Sequence, residues 1–220
     1  MRIDIITLFP ELLTTFTDSS IIGRAKENGT LEIVIHNLRD WGLGNHQQVD
    51  DSPYGGGNGM LLRVDVVVPA IRAVQALYRE PTTVVLMSPK GKRFTQPLAE
   101  QLAMNQHLIL VAGHYEGFDE RIRNFVDLQI SLGDFVLTGG ELPALAIVDA
   151  ISRLVPGVLT AGSAHEESHT LKNSAGERLL EYPHYTRPES FEGQGVPPTL
   201  VSGNHQQIAD WRKGHSSRAQ

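Results

Sequence analysis

The chain has 220 residues, 40% hydrophobic and 20% charged, with a formal net charge of −6. This is the profile of an ordinary soluble globular protein, long enough for one generous domain or a main domain with a small appendage. The absence of cysteine excludes disulfides, thiolate catalysis and Cys-ligated zinc and fits a reducing compartment, and the acidic balance argues against a uniformly basic nucleic-acid binder.

The amino terminus, MRIDIITLFPELL, carries Asp4 inside its apolar run, unlike the core of a signal peptide. No segment approaches the ~20 apolar residues that span a bilayer. The expected location is the cytoplasm, with no membrane partner. Apolar runs of strand length follow at 3–9, 31–36, 83–87, 107–112 and 134–138. They lack strict alternation, as strands covered on both faces do, so they predict a parallel sheet. Between them, Val67, Ile71, Val74 and Tyr78 set a helical period over 65–79. Another helix opens at TQPLAEQLA, where Thr95 can cap and Pro97 sits in the first turn. The alternation predicts an α/β fold with a mostly parallel sheet.

A third helical stretch, ELPALAIVDAISRLV, is apolar nearly all round. Such a helix is buried on every side, at the centre of a monomer or against a second subunit. Past Val155 the chain turns to Gly, Ser, Thr and His without a period, which reads as a linker or active-site loop. It then becomes proline-rich, with one modest helix signal at QQIADWRK. The expected organisation is a sheet domain over 1–158, a loop over 159–177 and a small, mainly helical domain over 178–220. The last ten residues, WRKGHSSRAQ, hold three positive charges and no acid, so any RNA would meet a local patch.

Four motifs call for chemistry. The pair Gly139–Gly140 ends a strand-like run, where backbone often approaches a ligand. Neither phosphate template fits: no G-x-G-x-x-G follows the first strand, and SPKGKR (88–93) has Arg93 where a Ser or Thr would hold magnesium. VDDSPYGGGNGM (49–60) places four glycines, Tyr54 and Met60 behind two acids. It is a mobile surface loop or a bed for a flat ligand, with the acids suggesting magnesium or a base-edge contact. GHYEGFDER (113–121) follows a strand at its carboxyl end, where open α/β sheets hold ligands; its charges also suit a solvated helix start. HEESH (165–169) matches the zinc-protease pattern, but its neighbours give little support for the helix that zinc would need.

Together DDSPYGGGNGM, SPKG, GHYEGFDER, GDFVLTGGELPA, SRLVPGVL, HYTRPE and VSGNH, in this order from LFPE to about Trp211, resemble the bacterial tRNA (guanine-N1)-methyltransferases, the TrmD type of the SPOUT superfamily. The resemblance implies a deep trefoil knot that binds S-adenosylmethionine, and methylation of N1 of the guanosine immediately 3′ of a tRNA anticodon. The implied cofactor residues are Leu86, Ser88, Pro89, Gly113, Tyr115, Glu116, Leu132, Gly133, Asp134, Phe135, Val136, Leu137, Gly139, Gly140 and Pro143. Arg153 matches the family's catalytic arginine, and Glu167 stands where the family usually has an aspartate base. The target guanosine would meet Asp50, Tyr54, Gly55, Gly56, Gly57, Gly59 and Met60, while Arg187, Arg212 and Lys213 would hold tRNA phosphates. Magnesium, a homodimer with a shared site and further sequence beyond this carboxyl end also follow from the resemblance. A second reading is a cofactor- or RNA-binding homologue with little catalysis, favoured by Glu167 and the short carboxyl end.

Overall fold

A five-stranded sheet carries the first part of the chain. The computed structural model describes residues 1–160 and 167–218, in two units, Met1–Leu159 and Thr160–Gln220. The first unit runs β1 (Arg2–Thr7), α1 (Pro10–Thr17), α2 (Ser20–Glu27), β2 (Glu32–Asn37), the short strands β3 (Asp50–Asp51) and β4 (Leu61–Leu62), α3 (Val64–Gln75), β5 (Thr82–Arg93), α4 (Gln96–Ala103), β6 (His107–Val111), β7 (Leu128–Ser131) and α5 (Glu141–Ser152). The sheet order is β2-β1-β6-β5-β7, and every pairing is parallel.

Strand alternation divides the apolar runs between two buried layers. Ile3, Ile5, Val85, Met87, Leu108 and Leu110 face α1, α2, α4 and α5, while Ile6, Val84, Leu86, Ile109 and Val111 face α3. Each such side chain contributes about 1.5–3 kcal/mol when fully buried. Burial on both faces is the reason these strands read as unbroken hydrophobic stretches.

Three elements depart from expectation. The run 134–138 is not a strand; the last strand is β7, and Phe135, Val136 and Leu137 are exposed. Ser131 Oγ donates to Gly133 O at 2.9 Å and accepts from Gly133 N at 3.2 Å, which turns the chain out of the sheet. α3 stops at Gln75 rather than 79, because Tyr78 leaves the helical path and packs edge-on to His107 with centroids 4.9 Å apart. α4 starts where expected, with Pro97 in its first turn, but the Thr95 side chain makes no capping bond. α5 buries Ala144, Leu145, Ile147, Val148 and Ile151 yet leaves Leu142, Ala146 and Asp149 exposed on one stripe. Its own chain therefore covers only part of this apolar helix.

At the amino-terminal end of the sheet a polar knot of side chains sits inside the apolar layers. Asp4 is fully buried. Arg2 donates to both its carboxylate oxygens at 2.6 and 2.9 Å, and the Nε2 atoms of His36 and His107 lie 2.6 and 2.7 Å from them. A carboxylate only accepts, so Nε2 of each ring carries the proton. In a neutral His107 ring Nδ1 then accepts from Thr82 Oγ1, 2.7 Å away. Burial pushes the Asp4 carboxyl up, but hydrogen bonds from His36, Arg2 and His107 more than offset it and hold the pKa at about 2.

The second unit has the ribbon β8 (Leu179–Leu180) with β11 (Ser217–Arg218), the ribbon β9 (Ser190–Phe191) with β10 (Gln194–Gly195), and the helices α6 (Pro198–Val201) and α7 (His205–His215). It is thus mixed rather than mainly helical. α7 realises the QQIADWRK signal and is capped by Asn204, whose side chain accepts from Gln207 N at 3.2 Å. Neither helix has a buried residue; aromatic contacts hold this unit, with Trp211 stacked on His215 at 4.0 Å and Arg212 over the Tyr182 ring at 5.0 Å.

Candidate functional site

The carboxyl ends of β5, β6 and β7 and the start of α5 enclose a cavity of about 460 Å³. Open α/β sheets hold ligands outside these strand ends, where diverging loops leave a crevice. Of the cofactor residues named from the sequence, all but Gly133 and Asp134 line it. Gly133 lies under the Phe135 ring and Asp134 is exposed; their backbone supports the turn that brings 135–140 to the wall.

Glycine at three positions is a matter of space. A Cβ on Gly140 would fall 2.5 Å from Gly113 N, and one on Gly113 would fall 2.4 Å from the Phe118 ring. Gly140 N donates to Gly113 O at 2.7 Å, clamping the 132–140 loop onto the end of β6. A Cβ on Gly139 would meet Glu141 Oε2 at 2.3 Å and His114 Nδ1 at 3.0 Å. Glu141 is buried and accepts from Thr7 Oγ1 at 2.8 Å, tying α5 to β1. The His114 ring lies between Phe9 and Tyr115, at 4.8 and 5.1 Å between centroids. Its buried Nδ1 has no hydrogen-bond partner among the described residues. A buried polar atom left unsatisfied costs stability, and this one belongs to a side chain that lines the cavity.

The glycine loop edges the same cavity. Asp50 pairs with Leu62 and Asp51 with Leu61 across its base, and Gly55, Gly56, Gly57 and Gly59 all have positive φ, which favours glycine. Glu116 N donates to Met60 O at 3.0 Å and Leu62 N to Gly117 O at 2.9 Å, stitching the loop to the 113–119 segment. Leu61 reaches the cavity wall, and Tyr54 is wholly exposed. On the rim, the Arg121 guanidinium hydrogen-bonds Asp119, holding that carboxyl below its ordinary range and raising the arginine.

Arg153, named from the sequence and part of the same unit, is not among the residues that line this cavity. Arg153 caps the far end of α5 and is exposed. Gly140 and Arg153 bracket a 12-residue helix, which spans about 18 Å, so the arginine stands well away from its own chain's cavity. Glu167, Arg187, Arg212 and Lys213 belong to the second unit. Glu167 is half-buried, and its carbonyl accepts from Thr170 N and Leu171 N, each at 3.0 Å. Arg187 and Lys213 are exposed.

Asp51 accepts from Arg63 at 2.6 Å, and among the described residues no group of three or more His, Asp or Glu is placed to hold a metal. His165 and Glu166 of the zinc-like pattern lie outside the described residues. His169 has φ +66° and its N–H bonds to Leu179 O at 2.7 Å, so it is not on a helix that would aim two histidines together. No helix among the described residues is long and apolar enough to cross a membrane.

Sequence reading missed Gln129, Ile130 and Ser131, which β7 brings to the wall, because the strand was assigned to the apolar residues just after it. The short run LQIS at 128–131 carried the signal. It also missed His114, inside the quoted GHYEGFDER, whose role depends on burial.

Comparison with known proteins gives these features a setting. The family described as tRNA (Guanine-1)-methyltransferase TrmD matches residues 1–220. A tRNA (guanine-N(1)-)-methyltransferase of Dehalococcoides mccartyi is 49% identical over 99% of this chain and 86% of its own length. Proteins of the same description from Chloroflexus aggregans and Ruminiclostridium cellulolyticum are 50% and 48% identical, over 99% and 98% of this chain and 84% and 91% of their own lengths. With a match across its whole length and near-half identity to such relatives, the chain belongs to the TrmD family of tRNA (guanine-1)-methyltransferases.

Proposed function

We propose that this chain transfers the methyl group of S-adenosylmethionine to N1 of the guanosine immediately 3′ of the anticodon in tRNA, and does so as a cytoplasmic homodimer. The observation that carries the reading is the cavity in which Gly140 is clamped against Gly113. Its volume of about 460 Å³ suits a nucleoside-sized ligand, and its glycine-tight turns let peptide groups approach an adenine edge. The unsatisfied His114 Nδ1 and the acids Glu116 and Glu120 on the wall suit a ligand with a polar edge and a cationic sulfur. When bound, the cofactor supplies an electrophilic methyl on sulfonium, which leaves as a neutral thioether.

The guanine N1 carries a proton at neutral pH and is a poor nucleophile until that proton is removed. The Glu167 carboxylate takes it, and the N1 pair then bonds to the methyl carbon. Negative charge developing on O6 is met by the Arg153 guanidinium. Because Arg153 stands a helix length from its own cavity, the reading assigns it to the cavity of a second copy, across the stripe of α5 that leaves Leu142, Ala146 and Asp149 exposed. The glycine loop, stitched to the cavity edge through Met60 and Glu116, receives the target base. Arg187, Arg212 and Lys213 meet phosphates of the anticodon arm. The family's trefoil knot belongs to the same reading and is supported by the family match.

Labelled cofactor and unmodified tRNA with guanosine after the anticodon test this directly. The expected product is 1-methylguanosine in the digested tRNA. Arg153→Ala and Glu167→Gln each cost on the order of 10²–10³-fold in kcat with cofactor affinity retained. Cofactor binding without turnover in the wild-type chain supports a non-catalytic homologue instead, and calorimetry showing no binding of the cofactor or its demethylated product overturns the proposal.

A further inference from the structure

Beside the first cavity lies a second hollow of about 320 Å³. The two share Lys90, Glu120, Arg123 and Gln129 and so meet at a common rim. The second is walled further by Gly91, Lys92 and the approach to β7. Its lysines come from SPKGKR, the segment that fails as a phosphate-binding loop and whose Ser88, Pro89 and Lys90 also line the first cavity.

The backbone under these lysines is held in place. Ile130 pairs with both Met87 and Lys92, so residues 88–91 bulge and β5 then returns against β7. That return needs glycine, since a Cβ on Gly91 would fall 2.4 Å from Ile130 N. Lys90 and Lys92 flank this close crossing. Both lysines line the hollow, Lys90 from the bulge and Lys92 from the strand that resumes after it.

Charge in the hollow is unevenly spent. Asp127 Oδ2 accepts from Val84 N at 2.8 Å, which anchors it to β5. Glu120 lies 3.6 Å from Arg123. Lys90 and Lys92 are both exposed and, among the described residues, form no ion pair. An open, polar trough with flexible unpaired cations on a fixed edge does not enclose a small anion. It suits a polyanion that passes along it, as single-stranded nucleic acid does on basic grooves. A base offered at the mouth of the first cavity brings its own backbone to that mouth, and the rim shared by the two hollows is one side of it.

We infer that the Lys90–Lys92 trough holds the sugar–phosphate backbone of the tRNA next to the guanosine offered to the adjoining cavity. This rests on the proposed function and adds a contact surface in the sheet unit to the cations of the second unit. Lys92 is the discriminating residue because it lines the trough and not the cofactor cavity. Binding of unmodified tRNA is measured over a series of salt concentrations for wild type, Lys92→Ala, Lys92→Arg and Lys92→Glu, with calorimetry of cofactor binding on each.

Lys92→Ala weakens tRNA binding several-fold and lowers the slope of log K against log salt by about 0.7. Lys92→Arg retains wild-type behaviour, Lys92→Glu weakens binding further, and cofactor affinity stays unchanged in all three. Wild-type tRNA affinity and salt slope in both Lys92→Ala and Lys92→Glu overturn the inference. If such variants accompany a wild-type chain that methylates tRNA, this inference falls alone; a wild-type chain that binds no tRNA brings down the proposed function with it.

Discussion

The two ends of the parallel sheet treat buried polar groups in opposite ways. At the amino-terminal end, Asp4 is buried but saturated: Arg2, His36 and His107 all hydrogen-bond its carboxylate, and Thr82 completes His107. At the carboxyl end, His114 Nδ1 is buried without a partner among the described residues, and glycines hold backbone too close for any side chain. The carboxyl end also spends Glu141 and Ser131 on the fold, so the contrast rests on that one ring nitrogen and on the close glycine turns. The sheet's layers run continuously between them, so the difference lies in what the loops beyond each strand end supply.

Substitutions at the two ends should separate stability from binding. The largest effect is expected at the saturated end. Asp4→Ala leaves Arg2 and two histidines without their shared acceptor and destabilises the protein by about 3–5 kcal/mol, measured by denaturant unfolding, while the folded fraction keeps its cofactor affinity. A cofactor defect larger than the stability loss would erase the contrast.

Gly140→Val does the reverse. Its Cβ meets backbone at 2.5 Å, shifting the loop that closes the cavity, and a displacement near 1 Å costs on the order of 10²-fold in methyl-transfer rate. Unaltered turnover in this variant would remove the clamp from the mechanism.

Acid titration sharpens the stability side. The Asp4 carboxyl is held at about 2 in the folded chain, against about 3.9 unfolded. Its contribution is therefore fully present above the unfolded value and is lost as pH falls from about 4 toward 2, an effect of about 2 kcal/mol. In Asp4→Asn the unfolding free energy should lose this part of its slope. The smallest effect is at His114, where replacing a ring whose Nδ1 has no partner among the described residues by Phe changes stability by less than about 1 kcal/mol. Cofactor binding should nevertheless weaken by several-fold in calorimetry. A strongly destabilised His114→Phe would mean that the imidazole serves the fold after all.

The strands were legible because burial on both faces leaves a composition signal that needs no knowledge of neighbours. Loop residues such as Phe135, Val136 and Leu137 carry the same signal while exposed, which is why the last strand was expected a few residues late. Two stretches of the cavity wall were legible from the residues themselves, GHYEGFDER by its place after a strand and the Gly139–Gly140 pair by its backbone demands; the rest was implied only by the family resemblance. Arg153 was legible as a type at a motif position, but its separation from the cavity depends on the length and direction of α5. The partners of Asp4 were not legible, since His107 stands 103 residues away.

By itself, the sequence determined four of the five buried strands, β1, β2, β5 and β6, the glycine demand of the turn at 139–140, and which family the motifs belong to. These follow from local sterics, short periodicities and ordered motifs. The tertiary structure alone decided that Gly140 clamps on Gly113, that Asp4 is satisfied while His114 is not, and that a basic trough adjoins the cavity. Each of these depends on atoms distant in the chain, whose meeting is set by the order in which parallel strands enter the sheet.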